Sequence, residues 1–321
     1  MTEQLFNFDL KKIINIPKNE VSERKKNLKL FYDNGLPNKK DENWKFTDLN
    51  TIVSKNFKNI TNNFEFKNEK KIDFIKDFEH NHIILVNGFL TSNDMKFEEK
   101  GKIKVEAISS LENFKHQSNN NLSFLNRALS QGGFNLEIQK NYKCKKPIVI
   151  YNYSTSNLDN KIINNSNKIR LNQSSELTLI ELNIGEESKF LKNTFEQVVV
   201  EKDAILKNIT VQSKKSDGYF YKHIYGSQGF NSSYQNFILT SGLKFNKIEI
   251  EMNLEKENSN CFILSGLCLG NDEHQEIKTK INHLAPNCKS YQKIKNVLEN
   301  NGIGVYQGKI FVKDIAQKTD A

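Results

Sequence analysis

The chain reads as a mainly β protein: a parallel β-helix over residues 134–321, preceded by an N-terminal α-helical region within a helical and mixed stretch over 1–133. Three observations predict this. From about Phe134 onward, short strand-sized segments follow one another with few helical patterns between them. One of them, Lys247-Ile-Glu-Ile-Glu-Met-Asn-Leu-Glu255, alternates apolar and polar residues without a break, which marks a strand with one buried face carrying Ile248, Ile250, Met252 and Leu254. Single Asn residues stand near strand ends, while past residue 40 Asn-Gly and Asp-Gly pairs are confined to 87–88, 217–218 and 301–302, and the prolines of the whole chain are Pro17, Pro37, Pro147 and Pro286. A closed barrel of tight hairpins needs more such pairs. Isolated polar corners suit coils stacked on one another. No strict short repeat is present, so irregular coils are expected, and by pattern alone a sandwich or barrel stays open.

The elements follow in order. Val21, Leu28 and Phe31 recur at helical spacing within 20–34, Gly35 is placed to cap that helix, and Pro37 blocks its continuation. Residues 44–49 hold the chain's one tryptophan, Trp44, in an amphipathic segment that suits an anchor docking an arm onto a core. Residues 50–80, rich in Asn, Lys and Phe, give no clear pattern. Residues 80–86 read as a buried strand, with a turn at Asn87-Gly88. Residues 109–114 and 121–130 read as short helices, the second showing Leu122, Leu125 and Leu129 on one side and ending at Gly132-Gly133. Strands are then expected at 147–153, 176–182, 195–200, 205–212, 235–239, 247–255, 261–264 and 310–312.

Composition narrows the class. The chain has 321 residues, 37% hydrophobic and 26% charged, enough for a large core. No run approaches the roughly 20 apolar residues that cross a bilayer, and the start lacks a basic segment followed by an apolar one, so neither a membrane span nor a secretory signal is expected. Four cysteines are too few for a disulfide scaffold, which makes a reducing cytoplasm the expected location. The net charge is +9, but only Arg24, Arg127 and Arg170 carry a guanidinium and the lysines are scattered among acids. Nucleic-acid readers rely on arginine forks and gathered basic stripes. The charge is therefore assigned to a Lys- and Asn-rich composition rather than to nucleic-acid binding.

Catalytic signatures are missing. The sequence has no phosphate-binding P-loop, dinucleotide fingerprint, nucleophile elbow, His-Glu-x-x-His or Cys-x-x-Cys motif, so no enzymatic activity is expected. The candidates that remain for a metal are Cys261, Cys268, His274, His283 and Cys288. Cys261 and Cys268 flank an apolar segment and read first as buried small hydrophobes. His283 and Cys288 bracket Leu-Ala-Pro-Asn, with His274 upstream, and together they form a soft-metal site only if the fold gathers them. His80 and His82 share a strand face without a third ligand.

The C-terminal stretch carries a resemblance. His283-Leu-Ala-Pro-Asn-Cys-Lys-Ser290, Gln292, Gly308-Lys-Ile-Phe-Val312 and the close Ala316-Gln-Lys-Thr-Asp-Ala321 resemble the SufB/SufD core family of iron–sulfur cluster assembly. Asp41-Glu-Asn-Trp-Lys-Phe-Thr-Asp-Leu49 resembles the segment near the start of the SufD branch, and residues 175–181, 193–196 and 204–212 resemble successive β-helix coils. The resemblance implies a right-handed parallel β-helix behind an N-terminal helical region. It also implies a non-enzymatic scaffold that pairs with a SufB homologue and works with the SufC ATPase. Any iron–sulfur cluster is then handled transiently by the complex, with none held stably by this chain. The family continues into a C-terminal helical domain with a Lys-Cys-Ser-His-Gly-Ala motif and the SufC-docking surface. This sequence stops at Ala321, so neither is carried over, and a fragment or a loss of SufC docking is expected. Two alternatives stand beside this: a SufB-like, cluster-binding member, since Cys261 and Cys268 lie in the core region, and a carbohydrate-active β-helix enzyme. The second lacks clustered carboxylates and offers only Arg170 as an arginine in the β region.

Overall fold

The computed structural model describes residues 5–13, 16–63, 72–112, 114, 120–212 and 216–320. Near the start, strand β1 (Phe6–Asn7) pairs with β2 (Ile60–Thr61). Between them lie helices α1 (Val21–Asn34) and α2 (Leu49–Asn56), and α3 (Asn121–Leu129) follows later. Gly35, at φ 69°, ends α1 with its N–H on the Phe31 carbonyl, a conformation that costs glycine little. Asp48 and Asn120 cap α2 and α3 through side-chain oxygens. The helix expected at 109–114 does not form over its described residues. There the Ser110 hydroxyl and the Leu111 N–H both donate to the buried Glu20 carboxylate at 2.6 Å, and this competing acceptor draws the segment into a turn.

The other strands are β3 (Asn81–Val86), β4 (Phe89–Asp94), β5 (Ile103–Ala107), β6 (Phe134–Ile138), β7 (Ile148–Ser154), β8 (Ile162–Leu171), β9 (Glu176–Gly185), β10 (Leu191–Val200), β11 (Ile205–Gln212), β12 (Ser216–Gln228), β13 (Ser233–Ser241), β14 (Leu243–Leu254), β15 (Asn260–Leu269), β16 (His274–His283), β17 (Lys289–Leu298) and β18 (Ile303–Val312). From β6 onward they alternate between two eight-stranded sheets. The even sheet runs β18-β16-β14-β12-β10-β8-β6-β5, and the odd sheet runs β17-β15-β13-β11-β9-β7-β3-β4. The result is a β-solenoid of about six turns with a small helical region at its N-terminal end. Pairing along each sheet is parallel except at the first coil, where β4 pairs antiparallel with β3, and β5 with β6. Asn87 (φ 51°) and Gly88 (φ 86°) make the β3–β4 turn, both residues left-handed as a two-residue hairpin requires. Because β3 lies beside β7, the odd sheet draws on the chain well before residue 134.

The coils repeat through one corner. Leu191 sits between Ile162, 29 residues before it, and Tyr219, 28 after it. Where an even strand turns into the next odd strand, one residue per coil has positive φ: Asn141, Ser174, Asp203, Asn231, Asn258, Asn287 and Lys318. Ser175, Ala204 and Ser232 each donate their N–H to the carbonyl three residues back, closing a turn whose third residue is left-handed. The N–H of each left-handed residue from Asn141 to Asn287 donates to the next coil, in the sequence Gln173, Lys202, Phe230, Glu257, Pro286 and Gln317. The central amide of such a turn stands across the turn plane, so it points along the solenoid axis and bonds coil to coil. Asn and Asp tolerate this conformation best after glycine.

The interior has two lobes. Beside this corner the inward side chains are apolar. Ile248, Ile250, Met252 and Leu254 all lie in the bore, packed with Ile224, Ile277, Ile281 and Cys261. At the opposite end of the same strands the inward residues are polar, among them Asn165, Asn167, Lys192, Glu196, Lys222 and Asn246. The N-terminal region covers the outer face of the even sheet, where Phe31, Trp44, Leu49, Val53 and Leu125 pack with Ile162, Leu191, Tyr219 and Phe245. β14 is therefore buried on both faces in its first half, and not only on the face that its alternation marks.

The corner geometry gives a test. Asn258→Val should destabilise the protein by about 1–2 kcal/mol, the cost of a left-handed β-branched residue, whereas Asn258→Gly should be near neutral. Urea denaturation of the two variants checks this.

Candidate functional site

Three features stand out: the latch that holds the N-terminal region, the polar lobe of the bore, and the end of the solenoid formed by β17 and β18. The latch is built from residues 42–47. A short 3-10 turn at Glu42–Trp44 presents Trp44, 1% exposed, against Tyr221 at 5.6 Å between ring centroids. The ammonium of Lys247, wholly buried on β14, lies 4.0 Å from the Trp44 ring centroid, 2.8 Å from the Asn43 carbonyl and 2.6 Å from Glu276 Oε1. The Thr47 hydroxyl donates to Glu276 Oε2 at 2.6 Å. With that proton committed, the His274 Nε2 3.0 Å from the same hydroxyl acts as donor. Lys278 bonds the Asn43 side chain. The Asn43, Thr47 and Lys247 groups therefore each meet a group of opposite need, as a buried charge requires, whereas the buried Trp44 indole N–H has no hydrogen-bond partner among the described residues.

In the bore, Lys222 lies 2.6 Å from Glu181 and 3.1 Å from Glu196. Burial opposes ionisation of Glu181, but Lys222 and Lys192 outweigh it and hold the carboxyl below its usual range. For Glu196 burial prevails and raises the value. Burial lowers Lys192 to about 8. Glu181, Lys192 and Lys222 border a cavity of about 30 Å³ with Thr210, Thr240 and Asn246. Glu196 Oε1, both amide atoms of Asn236, Asn246 Nδ2, Ser265 Oγ and Gln275 Nε2 have no hydrogen-bond partner among the described residues. Of these residues only Asn246 lines the cavity, whose size takes an ordered water, the usual partner of such an atom. The parity of the inward residues Leu177 and Leu179 places Glu181 inward too. That is the sequence signal by which this network could have been found.

The metal candidates are dispersed. Cys261 and Cys268 are seven residues apart on one strand, so they face opposite ways: Cys261 is buried in the bore, with burial raising its thiol to about 12, and Cys268 is exposed on the outer face. The reading of Cys268 as a buried hydrophobe is thus corrected. His274 and His283 stand at opposite ends of β16. His283 Nε2 meets Ser290 Oγ at 3.0 Å. Cys288 follows the left-handed Asn287 and fills the corner position held by Ser175, Ala204, Ser232 and Ser259 in earlier coils. Its sulfur lies 3.2 Å from Ser259 Oγ. The Leu-Ala-Pro-Asn run is this corner too: Pro286 stands second and Asn287 third in the turn, where each residue type is favoured. Among the described residues, no group of three or more His, Cys, Asp or Glu is placed to hold a metal ion.

At the far end, β17 and β18 are the outermost strands of their sheets. Leu298, Ile303, Tyr306, Ile310 and Val312 are exposed there. Lys289 and Glu299 donate their N–H inward to β15, so the alternate groups of Gln292, Ile294, Asn296 and Leu298 face outward. Ser290 makes such an outward bond, to the Asp320 carbonyl.

These features define a two-sheeted solenoid rich in contact surfaces, with ion pairs enclosed in its bore and under its N-terminal cover. The family models agree with one another in sequence order. The SufBD protein N-terminal region matches residues 4–150, and the SufBD core domain of the SUF system for iron–sulfur cluster assembly matches residues 153–321. The chain therefore belongs to the SufB/SufD family of the SUF system. Comparison with curated proteins found no match. No helix among the described residues is long and apolar enough to cross a membrane.

Two predictions follow from the site. Lys247→Met alone strands Glu276 and should cost about 3–5 kcal/mol. Lys247→Met combined with Glu276→Leu should cost less than either change alone, with Trp44 fluorescence during urea denaturation as the readout. Burial lowers the pKa values of His223, His274 and His283 below the usual 6.5. Their neutral forms therefore contribute stability that is present above pH 6.5 and lost as pH falls through the folded-state values. The urea midpoint should fall between pH 7.5 and pH 5, and less steeply in His283→Gln.

Proposed function

We propose that this chain is a scaffold subunit of iron–sulfur cluster assembly, of the SufD kind, and that it pairs with a SufB-like subunit through the β17–β18 end while the SufC ATPase works on the pair. The observation that carries the reading is the pair of SufBD family matches laid in order along the two-sheeted solenoid, and the outward N–H groups on β17 beside Leu298, Ile310 and Val312 give the edge on which pairing is tested. Parallel strand edges with apolar ends are templates for further strand pairing. The latch sequence Glu42-Asn-Trp-Lys-Phe-Thr47 favours the SufD kind. A cluster commonly takes four thiolates, and here Cys261 and Cys288 are buried while Cys268 faces outward. That placement supports a cluster held at the pair rather than by this chain alone.

Asn296→Pro removes one outward N–H without touching the inner ladder. On co-expression with a SufB homologue, the wild-type chain should co-purify as a stoichiometric pair and Asn296→Pro should not, while its urea midpoint stays close to wild type. Anaerobic reconstitution with iron and sulfide should give a stable cluster only with the partner present. A stoichiometric cluster on the chain alone, lost in Cys261→Ser, would overturn the reading.

A further inference from the structure

The two outer sheet faces are treated differently. The N-terminal region covers the even sheet, whereas among the described residues the odd sheet is covered at its start, where Ile72 packs on Val149 and Tyr151 with Ile180 and Leu182 alongside. From that cover an apolar ladder continues, half-buried on β9 and β11 and exposed on β13 and β15. Ile180, Ile209, Phe237 and Leu264 are register partners on successive strands, and Leu182, Val211 and Leu239 form a second column beside them. Phe237, Leu239 and Leu264 are 40%, 39% and 37% exposed. Strand spacing of ~4.8 Å makes the first column ~14 Å long, close to three turns of helix.

The second column ends in a notch. Gly266 is the register partner of Leu239, and a Cβ built there meets only Leu239 Cδ1, at 3.5 Å. On the next strand the same two columns end in Lys293 and Lys295, and Lys289 lies on the same face. These three lysines make no ion pair with any described residue, and Lys207 shares Glu176 with Lys143. From β9 to β17 the outward positions of this face carry four lysines and one acid, Glu176.

We propose that this face docks an acidic amphipathic helix of a partner protein, lying along the solenoid axis. Its apolar side covers the two columns, one bulky side chain fills the Gly266 notch, and its carboxylates meet Lys293 and Lys295. The charge argues against a second copy of this chain seated face to face, since like lysines would then oppose one another. The proposed surface is the outer sheet face, whose lysine border stands on β17, whereas subunit pairing invokes the backbone edge of that strand, and this inference does not rest on that reading.

The probe is a fluorescent helical peptide of three to four turns, with Leu at i, i+3, i+4 and i+7 and Glu elsewhere, titrated with the full chain. A twin peptide carries Lys in place of Glu. The Glu peptide should bind at least about tenfold more tightly than the Lys peptide, and its binding should weaken with salt. Gly266→Val, which the backbone and the open space both allow, should fold normally and weaken binding by about tenfold or more. Lys293→Glu with Lys295→Glu should do the same, and Asn296→Pro should leave binding intact. A thiol-linked photo-crosslinker on the exposed Cys268 should capture the Glu peptide. Equal binding of the two peptides, an unaffected Gly266→Val, displacement of the peptide by phosphatidylserine vesicles, or cross-links within the chain or to a second copy would each overturn the proposal.

Discussion

The structure depends on one hydrogen bond, repeated once per coil. At the corner leading into each odd strand, the N–H of a left-handed residue points along the solenoid axis to the carbonyl of the neighbouring coil. Parallel strands have no hairpin to set their register, so the corner sets it. Once Asn258 is bonded to Pro286, the strands that leave the two corners start level, and apolar positions fall on apolar positions across the sheet. The same requirement explains residues that otherwise invite a chemical role. Asn287 is there for its conformation, and Cys288 for the small space that follows it.

Given that register, each strand carries three environments rather than two. Its inward side chains are apolar near the corner and polar at the other end, while its outward ones meet the N-terminal region, solvent or a neighbour. The division of the bore places Lys222 between two carboxylates, and the cover over the even sheet buries Lys247 with Glu276. Buried ion pairs are poor sources of net stability, but removing one partner is costly. The Lys247 pair therefore acts on placement: only a segment offering a carbonyl, a hydroxyl and an aromatic face at these positions can settle there. Residues 43–47 supply all three. On the odd sheet the described residues place such a cover over the first strands alone, and β13 and β15 keep an exposed apolar ladder with a lysine border on β17.

Much of this was legible in the chain. Helix α1 with its Gly35 cap, the Asn87-Gly88 hairpin and the inward parity of Ile248 to Leu254 follow from local pattern, because each is decided by neighbours a few residues away, and the burial of Trp44 follows from its large apolar ring although Tyr221 and Lys247, far along the chain, provide the site. The single asparagines at the corners also spoke for stacked coils, since only a few side chains tolerate the left-handed turn. Strands β8, β12, β16 and β17 did not show. In β8, inward Asn165 and Asn167 belong to the polar lobe, so the alternation that reveals a strand with one dry face is absent. Short-range pattern also favoured a helix near Ser110, where the carboxylate of Glu20, ninety residues away, took the hydrogen bonds instead.

What the sequence determined by itself was therefore the class: many short parallel strands, polar corners, a helical start and the motifs that mark the SufB/SufD family. Tertiary structure alone decided which residues of opposite charge meet inside, which sheet face is covered, and where the cysteines and histidines stand. Strand parity separates Cys261 from Cys268, and the length of β16 separates His274 from His283. Conversely, stacking brings Glu181 to Lys222 across 41 residues and Thr47 to Glu276 across 229. Local periodicity encodes which way a side chain points, but which group it meets is set by coil register. That register comes from backbone bonds between corners, each about one coil apart in the chain.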